Sequence, residues 1–208
     1  MSWEPVGPGE LASRVAAWVA DVPGVVRVAV DGAPAAAPES LAGALGALLE
    51  RAGRPVAQIR AVTFWRDASL RLEYGREDVD AYLTGWLDAA ALRREVLVPA
   101  VERGEYLPSL RDPATNRATR ESPRALGSAG IVLVSGPLLL GHGLPFDRTV
   151  HLHLSPAALA RRTPPDQAWT LPAYERYDAT VAPARTAGLV VKLDDPRHPA
   201  LQIPSTQA

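Results

Sequence analysis

The chain has 208 residues, 47% of them hydrophobic and 22% charged, with a formal net charge of -1 at pH 7. That length suits one domain able to bury a substantial core, and the near-zero charge gives no basis for binding nucleic acid or a membrane surface electrostatically. The absence of cysteine excludes disulfides, thiolate metal sites and cysteine nucleophiles. No apolar run approaches the roughly 18 residues of a membrane span. The first residues lack a basic segment followed by an apolar one, so a cytoplasmic protein without a secretory signal is expected.

In chain order, Gly9 to Val22 places Leu11, Val15, Trp18 and Val22 at 4-3-4 spacing, which predicts an amphipathic helix, read as an appendage over 1–23. Val25 to Val30 (VVRVAV) predicts a strand. Pro38 to Ala52 returns to helical spacing through Leu41, Leu45, Leu48 and Leu49, with Gly53 as the stop. Pro55 to Phe64 predicts a second strand, and Arg66 to Gly75 a charged connector. Asp78 to Arg103 predicts one or two helices, with Pro99 expected to bend or end the run. Tyr106 to Arg124 is polar and arginine-rich, a loop or short hairpin. Ile131 to Val134 and Thr149 to Leu154 predict strands, and Pro156 to Arg162 a short helix. Leu171 to Val181 contains another helix, Leu189 to Leu193 is the last strand, and residues 200–208 are expected to fray. Short apolar strands alternating with helices predict a single α/β domain with a mostly parallel, buried sheet.

The loop after the first of these strands carries the functional question. A strand, a small-residue loop and a helix make the setting of a phosphate loop, G-x-x-x-x-G-K-[ST]. There the backbone N–H groups cradle phosphates, a lysine reaches the outer phosphates and a hydroxyl binds Mg²⁺. In VDGAPAAAPESLA, Gly32 takes the first position. Ala37, Pro38 and Glu39 take the second glycine, the lysine and the hydroxyl, and Ser40 follows one residue late. Lys192 is the only lysine in the chain and lies in the final strand.

From about Arg27 to Pro199 the chain resembles the uridine kinase-like nucleoside kinases of the P-loop superfamily, in their actinobacterial form. The resemblance rests on V-D-G with Leu41-Ala42, GRPV (Gly53 to Val56) and ALRREVLVP (Ala91 to Pro99). It continues through IVLVSGPLLL (Ile131 to Leu140), TVHLHLS, the ARR of a lid (Ala160 to Arg162) and a late P...A..VV.LDDP pattern. It implies a three-layer P-loop kinase-like fold with a central parallel sheet and helices on both faces. It also implies ATP and Mg²⁺ as cofactors if the chain is an active kinase.

The catalytic positions depart from the family. Its acidic base belongs after the second strand, where Thr63-Phe64 stands, and Asp67 is the first carboxylate beyond. Ser135 replaces the acid before the glycine that follows the third strand. In the Y-D-F-x-x-H-x-R-like segment, Arg111, Asp112 and Asn116 keep the acid and offer an amide for the histidine, with Arg117 one residue from the arginine position. The lid keeps Arg161 and Arg162, followed by Thr163-Pro164-Pro165. Pro38 removes an N–H donor but suits a helix start. Glu39 stabilises that helix end and repels a triphosphate.

The expected phosphate contacts are therefore Gly32, Ser40, Arg161 and Arg162. The expected substrate-facing residues are Arg66, Arg71, Glu73 and Tyr74, with Arg111, Asp112, Asn116 and Arg117; Asp67 is the sole candidate base, and no metal site is expected. His151 and His153 share one strand face but lack a third ligand, so they read as packed strand residues. Trp86 and Trp169 read as packing residues, Trp169 being the better stacking candidate. Three functions stay open. The chain is a pseudokinase binding a nucleoside-like or phosphorylated ligand or a protein partner, an active nucleoside or small-molecule kinase with an altered phosphate site, or a structural homodimer subunit with a vestigial pocket.

Overall fold

The computed structural model describes residues 2–203. Strand β1 (Ser2–Pro5) leads into helix α1 (Pro8–Ala20). Leu11, Val15, Ala16 and Val19 of α1 are buried, so the predicted N-terminal helix is built into the core instead of appended to it. Strand β2 (Val26–Asp31) runs into a 3₁₀ turn over Pro34–Ala36 and then α2 (Pro38–Arg51). Strand β3 (Val56–Arg60) is shorter than the predicted Pro55–Phe64, because Ala61–Phe64 forms a 3₁₀ turn. The turn begins where the ladder ends, with Arg60 opposite Ser135. The Thr63 hydroxyl then donates to the Arg60 carbonyl (2.8 Å).

The predicted connector contains a short helix, α3 (Ala68–Arg71), started by Asp67, whose carboxylate accepts from the Ser69 N–H. The long helical run resolves into a π-helical turn (Ala81–Gly85), α4 (Ala89–Leu92), a second π-helical segment (Arg93–Leu97) and α5 (Val98–Glu102). Pro99 neither ends nor breaks it. Proline cannot donate to the carbonyl four residues back, and that carbonyl, of Glu95, accepts instead from the Leu107 N–H (2.9 Å). The arginine-rich segment is closed by a small hairpin-like pair, β4 (Glu105–Tyr106) with β5 (Arg124–Ala125).

Strands β6 (Ile131–Gly136) and β7 (Arg148–His153) follow, then α6 (Pro156–Arg162), a 3₁₀ turn (Pro165–Thr170), α7 (Leu171–Thr180) and α8 (Pro183–Thr186). The chain ends in β8 (Leu189–Lys192) and β9 (Ala200–Ile203). The seven-stranded sheet has the order β1-β9-β8-β7-β2-β6-β3, parallel across β8-β7-β2-β6-β3 and antiparallel at β9. Side chains alternate across it, as strand geometry requires. Val26, Val28, Val30, Ile131 and Leu133 enter the core that contains α1 and α2. Ala29, Val132, Val134 and Ile59 enter the opposite core with Leu92 and Val96. Both faces are covered, which is why these strands read as continuous apolar runs. Strand β2 pairs with β6 on one side and β7 on the other, so the loop after Asp31 opens at the switch point where α/β sheets place their ligands.

The predicted frayed tail is also corrected. Ala200–Ile203 lies between β1 and β8, with Leu201 buried; two ladders and an apolar pocket compensate the entropy that a free terminus would keep. Residues 204–208 lie outside the described residues. Leu201→Ala is therefore expected to destabilise the protein by about 2–5 kcal/mol in urea unfolding, whereas a frayed tail would leave the midpoint unchanged.

Candidate functional site

Four N–H groups of the loop from Gly32 to Ser40 are taken by backbone carbonyls. Pro34 and Pro38 have no N–H to offer. The Gly32 N–H donates to the Gly136 carbonyl (3.2 Å), Ala36 to Ala33 (2.8 Å), Ala37 to Pro34 (2.9 Å) and Ser40 to Ala37 (3.0 Å). Ala37 takes a left-handed conformation (φ 53°), a position that favours glycine. Gly32 itself is required by packing, since a Cβ there would come within 2.9 Å of Leu152 Cβ on β7.

Directly before the loop, Asp31 is fully buried. Its Oδ1 accepts from the Leu139 N–H (2.8 Å), and its Oδ2 accepts from His151 Nδ1 (2.7 Å) and the Tyr177 hydroxyl (3.2 Å). A carboxylate only accepts, so His151 carries its proton on Nδ1. Tyr177 Oη in turn accepts from the Leu140 N–H (2.9 Å), and His142 Nε2 donates to the Leu138 carbonyl (3.0 Å). The turn after β6 is thus pinned at each of its strained residues, Leu138 being left-handed (φ 57°). Burial and the Asp31 charge push the Tyr177 hydroxyl well above the ordinary phenol range. On β7, His151 is buried in this hub and His153 is half-buried, and no cluster suited to a metal ion occurs among the described residues.

Beside the loop lies a cleft of about 630 Å³. Trp65, Tyr82, Trp86 and Trp169 form its aromatic wall, with Pro34 and Glu39 from the loop and Arg60 from the end of β3. The rings brace one another edge to face: Trp65–Trp86 at 4.9 Å, Tyr82–Trp86 at 4.9 Å and Tyr82–Trp169 at 5.4 Å between centroids. The Tyr82 hydroxyl, pushed up to about 12 by burial, shares a 2.8 Å hydrogen bond with that of Tyr174. A smaller hollow of about 240 Å³ shares Pro34, Tyr82, Gln167 and Thr170 with the cleft and reaches Arg162.

None of the eight expected substrate-facing residues lines this cleft. The structure does join the two segments they came from. Asp67 pairs with Arg111 (3.0 Å) and accepts from Asn116 Nδ2 (3.3 Å), while Asn116 Oδ1 accepts from the Ala68 N–H (3.1 Å). The Ser69 N–H and hydroxyl, followed by Asn116, hold the Asp67 carboxyl below its usual range, so it is a structural acceptor placed to cap α3. Arg71 lays its guanidinium over Trp65 (5.1 Å) and Trp86 (4.7 Å) and donates to the Arg66 carbonyl, backing the aromatic wall. Asp112 closes its own turn on the Ala114 N–H and the Thr115 hydroxyl. Arg66, Glu73, Tyr74 and Arg117 are exposed.

Of the expected phosphate contacts, Arg161 is exposed and Arg162 is committed to the Leu193 and Asp194 carbonyls. Ser40 and Arg162 do come together, in a separate hollow of about 270 Å³ that they line with Ala35, Ala36 and Ala37 of the loop and Leu11 of α1. Sequence reasoning missed Trp65, Tyr82, Arg60 and the Asp31 hub. The i, i+4 spacing of Tyr82 and Trp86, followed later by Trp169, Tyr174 and Tyr177, was the available signal for an aromatic wall.

The mostly parallel sheet with helices on both faces, and the loop at its switch point, make an α/β fold of the P-loop kinase-like kind. Among solved structures, the chain is similar to a candidate uridine kinase from Bacillus stearothermophilus, with TM-score 0.71 and 17% identity over 87% of this chain and 97% of that one. It is also similar to a candidate fructose transport system kinase from Silicibacter sp. TM1040, with TM-score 0.56 and 21% identity over 88% and 95%. The YGR205w protein aligns at TM-score 0.62 and 11% identity, over 94% and 97%. No protein-family model and no curated protein matches the chain. No helix among the described residues is long and apolar enough to cross a membrane.

Two predictions follow from the hub and its surroundings. Asp31→Ala leaves three buried donors without an acceptor and is expected to cost about 3–5 kcal/mol in chemical unfolding. Asp31→Asn should cost less, because its amide keeps the shape and one acceptor. The second concerns pH. Burial lowers the affinity of His142 and His153 for protons, with the His151 ring adding to the effect at His153. The unfolded chain takes up these protons from about pH 6.5, so stability falls as pH drops below that value, until the rings protonate in the folded state. Asp178, raised chiefly by burial, acts in the opposite direction. Thermal melts of His153→Gln between pH 7 and 5 are expected to show a shallower acid-side loss than the parent.

Proposed function

We propose that this chain is a uridine kinase-like protein that binds a nucleoside-sized planar ligand in the aromatic cleft and does not carry out efficient ATP-dependent phosphoryl transfer. The observation that carries the reading is the loop. Its Gly32, Ala36, Ala37 and Ser40 N–H groups are taken by backbone carbonyls, and Glu39 lines the adjoining cleft. Phosphoryl transfer depends on positioning and charge neutralisation, and this loop offers a carboxylate where a triphosphate needs donors and a cation. Lys192 supplies no replacement, since its ammonium lies over the Trp3 ring (4.1 Å) on the outer strands.

In this reading Trp65, Trp86 and Trp169 present ring faces or edges to a base, and Arg71, Asp67, Arg111 and Asn116 hold the wall from behind. Gly32, Ser40, Arg161 and Arg162 would matter as phosphate contacts only in an active kinase using ATP and Mg²⁺. A cytoplasmic location belongs to the same reading.

Thermal-shift titrations with uridine, cytidine, UMP and ATP–Mg²⁺, paired with an ADP-release assay, separate the two functions. Uridine or cytidine is expected to raise the unfolding midpoint, ATP–Mg²⁺ to leave it unchanged, and ADP release to stay at background. Trp169→Ala should weaken nucleoside binding roughly tenfold, the scale of one lost stacking contact. Stabilisation by ATP–Mg²⁺ with nucleoside-dependent ADP release would establish the active kinase instead.

A further inference from the structure

The cleft has an aromatic wall, and the charge at its loop end has the wrong sign for a nucleotide. Glu39 stands on the first turn of α2, half-buried, and lines the cleft beside Pro34. Arg60 is the cleft's only cationic lining residue; it is exposed, at the end of β3. Neither has an ion-pair partner among the described residues. The other cations near the loop are engaged elsewhere. Arg162 is held by two carbonyls, Arg71 stacks over Trp65 and Trp86, and Lys192 lies over Trp3.

We propose that the cleft selects a planar heteroaromatic ligand carrying a protonated amine, with its ring on the tryptophan wall and its ammonium on Glu39. This rests on the cleft being the ligand site, as argued above, and names the chemical class it takes. Three features of the cleft converge on that class. The ring faces of tryptophan attract both planar rings and cations. The half-buried carboxylate is a charge-assisted acceptor, stronger for an ammonium than for a hydroxyl. The same carboxylate repels a phosphate at that end, and the loop offers it few free N–H donors. Arg60, exposed at the end of β3, can meet an anionic substituent of such a ligand.

The test uses three compounds that differ at one position: 5′-amino-5′-deoxyuridine, uridine and UMP. Each is titrated at pH 7 against the full chain and against Glu39→Gln, following tryptophan fluorescence and the unfolding midpoint. The amine is expected to bind roughly tenfold or more tightly than uridine, the scale of a hydrogen bond to a charged group, and UMP to bind most weakly. Glu39→Gln should remove the amine's advantage over uridine while leaving the ligand-free midpoint close to that of the parent, which certifies the fold. If uridine binds but the amine binds no better, or if Glu39→Gln leaves the order unchanged, the charge inference is overturned and the cleft reading stands. If none of the three binds, the cleft reading fails and this inference falls with it. UMP binding most tightly would place an anion at the loop and overturn the proposal directly.

Discussion

A carboxylate removed from water must have its lone pairs filled, and Asp31 obtains its three donors from three different parts of the chain: the turn after β6, β7 and α7. That requirement sets the positions of everything around the loop. Tyr177 reaches Asp31 only if α7 packs across the end of β2, which also brings Tyr174 against Tyr82. Leu138 can hold a left-handed conformation because the next two N–H groups and its own carbonyl are all bonded. The cleft wall and the loop are thereby linked both by this polar network and by the apolar cluster of Ala33, Tyr82, Leu138, Tyr174 and Tyr177.

The two sides of the site depart from phosphate chemistry by different means. On the loop side, prolines and short 3₁₀ geometry turn N–H groups inward onto their own carbonyls, and a glutamate supplies negative charge. On the cleft side, four aromatic residues from three separated segments meet edge to face and leave a hollow large enough for a ring system. Arg71, packed behind Trp65 and Trp86, stiffens that wall without entering it. In the function proposed above, a loop that repels anions stands beside a wall that accepts rings, an arrangement suited to binding more than to activating a phosphoryl group.

Much of the fold was legible because its signals are local. Val26 to Val30 is apolar except at Arg27 and Ile131 to Val134 is apolar throughout, as strands buried on both faces require, and Leu41, Leu45, Leu48 and Leu49 mark α2 at helical spacing. The misreadings arose where a remote partner overrides local preference. Pro99 stays within a helical run because Leu107 fills the carbonyl it vacates. Ala200–Ile203, short and proline-flanked, becomes a strand because β1 and β8 stand open on either side of it. Phe64 leaves the strand because β6 has already ended its ladder.

The candidate site divides along the same line. By itself the sequence determined that a loop with phosphate-loop spacing lacks its lysine and hydroxyl and carries Pro38 and Glu39, since these are identities at fixed positions along one strand-loop-helix unit. Only the tertiary structure decided which side chains share a cavity with that loop. Asp67, the candidate base, and Arg111, a candidate substrate contact, prove to be each other's partners. Trp65, Tyr82, Trp86 and Trp169 look like scattered core residues and form a single wall. The physical reason is that hydrogen-bond saturation and ring packing are set by groups distant in the chain, which no local pattern encodes.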